Sequence, residues 1–236
     1  MRPTILPGGG FFISMPRLII FANGLVPDLE STRKLIQPGD TLIAADGGTQ
    51  HALALGLMPS IIFGDMDSLS PGDRRSLDGQ DVEIQLYPRD KNETDLELAL
   101  LYAIQTGYRN IIIIGALGGR LDQTLGNLSL LTDPRFSSFD IRLDDGVEEA
   151  FFTRTRAGLL GNPGDIVSLI PWGGEVTGVS TQGLRWPLHE ETLFPDKTRG
   201  ISNEILGEQA AIEIASGLLL CVHRRKKVFG SQSAEG

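Results

Sequence analysis

The 236-residue chain is poor in the residues that most often announce a site. It has one cysteine, Cys221, in an apolar run, so no disulfide can close within the chain, and a reducing cytoplasm fits. Three histidines (His51, His189, His223) and that one thiol give little material for a zinc centre or for a Cys or His nucleophile. Lysine is scarce as well, with only Lys34, Lys91, Lys197, Lys226 and Lys227; most basic charge is arginine. A net charge of −9 argues against broad electrostatic attachment to nucleic acid or to an anionic membrane. No apolar run approaches the ~20 residues of a membrane-spanning helix. Residues 1–15 hold Pro3, Pro7 and Gly8 to Gly10 but no sustained apolar core, so a signal peptide is not expected there, and Met15 could serve as an alternative start. Neither a G-x-x-x-x-G-K-[ST] loop nor a G-x-G-x-x-G fingerprint follows a strand. Ordinary P-loop ATPases and nicotinamide dehydrogenases are therefore poor candidates.

What is present is a core and many turns: 41% apolar residues, 29 glycines and 13 prolines. Continuous apolar runs at Leu18–Ala22, Leu42–Ala45, Ile61–Phe63 and Ile111–Ile114 have the composition of strands buried on both faces. Val82–Tyr87 alternates like a further strand. Helical patterns lie between them, over residues 28–36, 49–55, 95–106 and 121–131. Alternating strands and helices predict a parallel, Rossmann-like α/β domain over residues 16–132. After Asp133-Pro134 the pattern changes to short β runs separated by Gly, Pro or Asp clusters. That predicts a small β-sandwich domain over residues 135–230, with a frayed tail at 231–236.

The chain is organised around Ile61-Ile62-Phe63-Gly64-Asp65-Met66-Asp67-Ser68, a strand that ends in glycine and two carboxylates. Side chains two apart in extended chain share one side, so Asp65 and Asp67 could point together into the crevice beyond the strand ends. Like charges held close call for a cation, and hard oxygen ligands suit Mg²⁺, which takes one or two carboxylates plus substrate phosphates. A polar turn explains an isolated Gly-Asp-x-Asp-Ser equally well. Three more strand ends belong to the same edge of a parallel sheet: Asp46-Gly47-Gly48, the Asp90–Asp95 loop and the Gly115–Gln123 loop. Asp95 also suits a first helical turn, where the helix dipole stabilises a carboxylate by roughly 0.3–1 kcal/mol. Thr94 and Glu97 have capping-box spacing, which makes Thr94 the expected N-cap. Gly118-Gly119 could bring backbone N–H groups to a phosphate, and Arg120 can grip one with two parallel hydrogen bonds.

In order and spacing, Asp46-Gly47-Gly48, Gly64-Asp65-x-Asp67-Ser68, Asp90-Lys91-x-x-Thr94-Asp95 and Gly115-x-x-Gly118-x-Arg120-x-Asp122 resemble the thiamine pyrophosphokinase family. Thr181-x-Gly183-Leu184-x-Trp186 and Ile201-Ser202-Asn203-Glu204 are similar to that family's thiamine-side motifs, so the resemblance spans residues 17 to 225. Gln123 departs from it, standing where many members carry His, and residues 1–15 have no counterpart. The resemblance implies transfer of pyrophosphate from ATP to the hydroxyethyl oxygen of thiamine, releasing AMP and thiamine diphosphate. It implies Mg²⁺ on Asp65, Asp67 and Asp95, a phosphate clamp at Arg120, and Asp122 either orienting the hydroxyl, taking its proton, or simply capping a helix. Asp46, Gly47, Gly48, Ser68, Lys91, Thr94 and Gly118 would hold the co-substrate, with Trp186, Ser202 and Asn203 on the thiamine side. It also implies a homodimer in which one subunit's β domain completes the other's site. The alternatives are a related pyrophosphokinase acting on a pterin-like alcohol and a nucleotide-binding sensor without turnover.

Overall fold

The computed structural model describes residues 16–65, 67, 69–87 and 90–226. Met15 and the 231–236 tail lie outside them. In chain order the first part runs β1 (Arg17–Phe21), α1 (Leu29–Arg33), β2 (Thr41–Ala45), α2 (Gly48–Ala54), β3 (Ile61–Gly64), α3 (Pro71–Leu77), β4 (Glu83–Leu86), α4 (Asp95–Gln105), β5 (Asn110–Ile114) and α5 (Leu121–Leu130). A 3₁₀ turn at Pro134–Phe136 leads into the second part. There follow β6 (Asp140–Asp144), β7 (Glu148–Thr153), β8 (Arg156–Leu160), β9 (Ile166–Pro171), β10 (Val176–Gln182), β11 (Glu191–Leu193), β12 (Asn203–Glu204), β13 (Gln209–Glu213) and β14 (Leu219–Arg224).

The strands form two sheets. Ten lie in the order β12-β9-β14-β7-β6-β5-β1-β2-β3-β4, and four in the order β11-β10-β13-β8. From β6 through β4 neighbouring strands are parallel, and from β6 through β12 they are antiparallel. The large sheet therefore combines strands from before and after the 133–136 turn: β6 pairs in parallel with β5, Ile111 against Ile141. Five strands of the second part extend the parallel sheet, and the other four make the facing layer of the sandwich.

The parallel strands are buried on both faces because their side chains alternate between two cores. Leu18, Ile20, Ile111 and Ile113 pack with Leu96, Ala99, Leu100 and Ala103 of α4. Ile19, Phe21, Ile112 and Ile114 pack with Ala52 and Leu55 on the α2 side and Leu77 of α3. A third core lies between the two sheets, with Phe151, Leu169, Val179, Ile212, Leu219 and Cys221 among its members. Each fully buried aliphatic chain contributes about 1.5–3 kcal/mol. Burial pushes the Cys221 thiol up to about 12, which makes it a packing residue and not a nucleophile.

Some elements differ from the sequence reading. The helix expected over 28–36 is confined to α1, started by Asp28, whose Oδ1 accepts from the N–H groups of Glu30 (3.0 Å) and Ser31 (3.3 Å). Helix α3 is absent from the periodic pattern because it buries only Leu77; Ser70 caps it and Pro71 occupies its first position. β8, β11 and β12 are short or outward-facing, so they give no apolar run.

The middle of the large sheet carries a buried ionic network. His223 on β14 sits between Glu149 Oε1 (2.9 Å) and Asp165 Oδ2 (3.0 Å) and is fully buried. Arg142 reaches Glu149 Oε2 at 3.2 Å, and Arg225 grips Asp144 with two bonds of 2.7 and 2.8 Å. Burial opposes charge on His223, but its two carboxylate partners outweigh this and raise its pKa. Glu149 is likewise desolvated, yet the bond from His223 and the nearby Arg142 and Arg225 hold its carboxyl below the ordinary range.

Candidate active site

The parallel part reads β6-β5-β1-β2-β3-β4, so the chain order reverses between β1 and β5. In open α/β sheets, the crevice outside the carboxyl ends of strands at such a switch point binds ligands. A cavity of about 470 Å³ lies there, walled by the strand ends at Ala22–Leu25, Ala45-Asp46 and Gly115-Ala116, with Thr94–Leu96 and Gly118–Arg120 beside them.

Close backbone packing shapes the floor. Gly24 N–H donates to Gly115 O at 2.6 Å and Ala22 N–H to Ile114 O at 2.7 Å, so the ends of β1 and β5 stay joined past the strands. His51 Nε2 lies 2.8 Å from Gly24 O and ties helix α2 to that loop. Gly115 has φ +73°, and a Cβ there would lie 2.4 Å from Ala22 O, so both conformation and space require glycine. Gly48 meets the same demand differently: a Cβ would fall 2.0 Å from Phe21 O. The Gly47-Gly48 pair thus lets α2 approach β1 beneath the cavity.

Asp46, Thr94, Asp95, Gly118 and Arg120 are brought together in the cavity wall. Asp46 has φ +46°, the left-handed region that Asp tolerates better than most residues, and its N–H donates to Phe63 O at 2.6 Å. Thr94 is the N-cap of α4, its Oγ1 accepting from Glu97 N–H at 3.1 Å. The Glu97 carboxylate reaches Arg135 at 3.3 Å. Asp95 opens α4 and is held by Lys91 Nζ at 2.5 Å, which itself lies 5.1 Å from the centre of the Tyr87 ring. Arg120 is the N-cap residue of α5, without a side-chain cap bond. Its guanidinium makes two bonds to Asp122, of 3.1 and 2.5 Å, and both side chains are exposed. The hydrogen bond from Arg120 lowers the Asp122 pKa, and Asp122 raises that of Arg120.

Asp65 and Asp67 stand at the end of the adjacent strand β3, outside the cavity wall. Asp65 Oδ1 accepts from the Asp67 N–H at 3.0 Å, the polar turn that the spacing allowed. Ser68 lies outside the described residues. Among the described residues no group of three or more His, Cys, Asp or Glu side chains is gathered to hold a metal. The donor chemistry nevertheless fits Mg²⁺, because that ion needs only one or two carboxylates when substrate phosphates supply other oxygens.

Trp186, Ser202 and Asn203 form a second assembly. The buried Asn203 clamps the Trp186 backbone from both sides, Oδ1 accepting from its N–H at 3.0 Å and Nδ2 donating to its carbonyl at 2.6 Å. Trp186 is 50% exposed, with the Arg185 guanidinium 5.8 Å from the centre of its ring. A sandwich-core tryptophan would be hidden. Trp172 is partly buried, edge-on to Phe152 at 5.4 Å, and packs against the α4-side core and not between the two sheets. Ser202 adopts φ +60° and its N–H donates to Ser168 Oγ at 3.1 Å.

Sequence reasoning did not select Asn23, Leu25 or Asn127, which also line the cavity. Asn23-Gly24 ends β1 as the other loops end theirs, so the strand-end rule would have found it. Gln123 and Asn127 are four apart on α5 and share a face; Asn127 Nδ2 donates to Ala116 O at 2.9 Å.

Residues 32–143 match the family model for the thiamin pyrophosphokinase catalytic domain, and residues 156–219 match that for the thiamin pyrophosphokinase vitamin B1 binding domain. The thiamine pyrophosphokinase of Bacillus subtilis (strain 168) is 29% identical over 221 residues, covering 88% of this chain and 98% of that protein. Thiamine pyrophosphokinase 1 of Oryza sativa subsp. japonica is 28% identical, covering 71% of this chain and 67% of its own. The crystal structure of the Bacillus subtilis protein superposes with a TM-score of 0.79 at 26% identity, covering 89% of this chain and 99% of that one.

Proposed function

As a member of the thiamine pyrophosphokinase family, matched in both its catalytic and its vitamin B1 binding domains, the chain carries the two parts of one reaction, and we propose that it transfers pyrophosphate from ATP to thiamine. The observation that carries this reading is the cavity at the switch point, where Asp46, Asp95 and Arg120 meet at the ends of parallel strands. The thiamine hydroxyl oxygen releases its proton to solvent and bonds to the β-phosphorus of ATP, the bond from that phosphorus to the α–β bridging oxygen breaks with its electron pair on that oxygen, and AMP departs. Such a transfer is catalysed chiefly by in-line positioning and by neutralising charge on the phosphoryl oxygens.

Arg120 is the phosphate clamp; its guanidinium is exposed and makes a two-bond pair with the exposed Asp122. A carboxyl whose pKa is lowered is a weak base, so Asp122 suits orientation of Arg120 or of the hydroxyl better than proton abstraction. The backbone at Gly118-Gly119 allows close approach of the polyphosphate. Asp65, Asp67 and Asp95 would hold Mg²⁺, with Asp46 beside them, and Lys91 keeps the Asp95 charge balanced without it. When bound, the metal supplies charge neutralisation on the transferred phosphoryl oxygens.

Trp186, fixed by Asn203 beside Ser202, offers an aromatic face to the thiazolium cation and aminopyrimidine. The vitamin B1 binding match over residues 156–219 favours thiamine over a pterin-like alcohol, and the paired catalytic match favours turnover over passive sensing. β12, which carries Asn203, lies six strand spacings from β1. At ~4.8 Å per spacing this is roughly 29 Å along the sheet, too far for one small substrate to bridge within a chain. This separation supports a homodimer whose site combines one subunit's strand ends with the other's Trp186. No helix among the described residues is long and apolar enough to cross a membrane, and the lone buried Cys221 accords with the cytoplasm.

The test is product identification. Incubation with ATP, Mg²⁺ and thiamine is expected to give AMP and thiamine diphosphate in equal amounts by chromatography. ADP with thiamine monophosphate, or no product, would refute the proposal.

A further inference from the structure

A second cavity, also of about 470 Å³, opens on the opposite edge of the large sheet. Asp140 at the start of β6 is paired with Asn110 at the start of β5, whereas Gly115 on the catalytic edge follows the end of β5. Five residues of extended chain, roughly 16 Å, separate the two edges. β7 runs antiparallel to β6, so Thr153 and the turn after it return to the Asp140 end. This brings Arg154 and Arg156 to one wall of the cavity, with Arg142, Phe139, Phe152 and Ser137 around them.

The arginines differ in how far their charge is already used. Arg142 is committed, bonded to Asp140 at 3.0 Å and to Glu149 at 3.2 Å and lying 4.1 Å from the centre of the Phe151 ring. Arg154 donates to the Thr132 carbonyl at 3.3 Å, and among the described residues no carboxylate stands within ion-pair distance of it. Arg156 meets Glu213 at 3.4 Å, with both side chains exposed, a pair that water and salt screen strongly. Behind the wall, Arg109 donates to Ser138 Oγ at 3.1 Å and sits 4.5 Å from the centre of the Phe139 ring, again without a carboxylate partner among the described residues. In a chain of net charge −9, this edge concentrates guanidinium groups with spare donors beside aromatic faces.

We propose that this cavity is a second ligand site, distinct from the catalytic one, that takes an organic phosphate. The phosphate lies between Arg154 and Arg156, whose planar forks match its oxygens, and the organic ring rests against Phe152 and Phe139. Two compounds of this chemistry arise in the reaction proposed above, AMP and thiamine diphosphate. Binding here needs neither Arg120 nor the acidic strand ends.

The test is calorimetric titration of the full chain with AMP, with thiamine diphosphate and with inorganic phosphate. The same titrations are run on Arg120→Ala and on the double variant Arg154→Ala/Arg156→Ala, with thermal melts to verify folding. The proposal expects Arg120→Ala to keep binding at this site for one of the two organic phosphates, and that compound names the source. The double variant should lose at least tenfold in that affinity while its initial rate of turnover, measured without added product, is unchanged. Identical isotherms for wild type and double variant would overturn the proposal. So would binding lost equally in Arg120→Ala, or inorganic phosphate binding as tightly as either organic compound. Turnover is read separately, so failure of this site and failure of the proposed reaction are distinguishable.

Discussion

The two ends of the ten-stranded sheet handle charge and aromatic surface in opposite ways. At the parallel end, carboxylates and Arg120 stand at strand ends around an open cavity, and glycines let backbones close in beneath them. At the antiparallel end, the exposed group is an indole, held by a buried amide. In the proposed reaction the first end takes the polyphosphate and a cation, and the second a flat, positively charged organic ring. Between them the buried His223 is bonded to both Glu149 and Asp165, a use of charge that joins strands and lines neither of the two cavities described above. Residue type alone does not separate these roles. An acid at an exposed strand end is available for chemistry, whereas an acid sealed against His223 is spent on holding β7, β14 and the 162–165 turn together.

The largest expected effect breaks the parallel end alone. Asp67→Asn keeps the side-chain shape at an exposed position but removes charge, and should lower kcat by ~10³-fold or more, about 4 kcal/mol, with an unchanged melting temperature. Near-normal kcat at saturating Mg²⁺ would remove Asp67 from the metal set. Next comes the middle of the sheet. His223→Ala takes one partner from each of two buried carboxylates, Glu149 keeping Arg142 and Asp165 the Asn162 and Lys226 N–H groups, and should cost about 3 kcal/mol in chemical denaturation, with KM values of the folded fraction preserved.

The pH dependence of that network has a definite sign. Glu149 and Asp165 are held below their ordinary values, so their contribution is present above the unfolded carboxylate range, about pH 4, and fades as pH falls through their folded values. His223 is raised, so its contribution is complete below about pH 6.5 and is lost as pH rises through its folded value. The stability gap between wild type and His223→Ala should therefore be widest between about pH 4.5 and 6.5 and shrink on either side, as melts across pH would record.

A smaller effect sharpens the contrast from the other end. Trp186→Ala should raise KM for thiamine about tenfold and that for ATP less than twofold, since a cation–π contact is worth ~0.5–2 kcal/mol. Equal rises in both constants would place the ring elsewhere in the cycle. Smallest is Thr94→Ala, which removes the α4 cap and should cost ~1 kcal/mol of stability, measured as a shift in denaturation midpoint.

Much of this arrangement is legible in the sequence, for reasons that differ by region. The Ile111–Ile114 run and its relatives mark strands buried on two faces, and the acids that follow them share one edge by topology alone. Helix α3 is harder, because a helix with one buried residue carries little periodic signal, whereas the alternation over Val82–Tyr87 marks β4 even at the sheet edge. The joining of strands from before and after the 133–136 turn in one sheet is a pairing of β5 with β6, which no local pattern encodes. The His223 network joins residues 58 and 74 positions apart, and each of them reads locally as an ordinary surface polar residue. Asn23 and Asn127 are harder to single out because amides carry no charge pattern, although one ends a strand and the other lies a helical turn from Gln123. The Lys91–Asp95 pair is invisible for another reason: four-residue spacing suggests a helical ion pair, but Lys91 precedes the α4 cap.

The central claim is that the two ends of the sheet act together through a second subunit. It is tested most directly by mixing Asp67→Asn with Trp186→Ala under limiting thiamine, after subunit exchange has been verified by mass. Each variant is inactive or weak alone, but a mixed dimer of two-fold symmetry holds one site in which both residues are intact. Random exchange should therefore restore about a quarter of wild-type activity. Activity no greater than the sum of the separate variants, despite verified exchange, would contradict the shared site and leave Trp186 acting within its own chain.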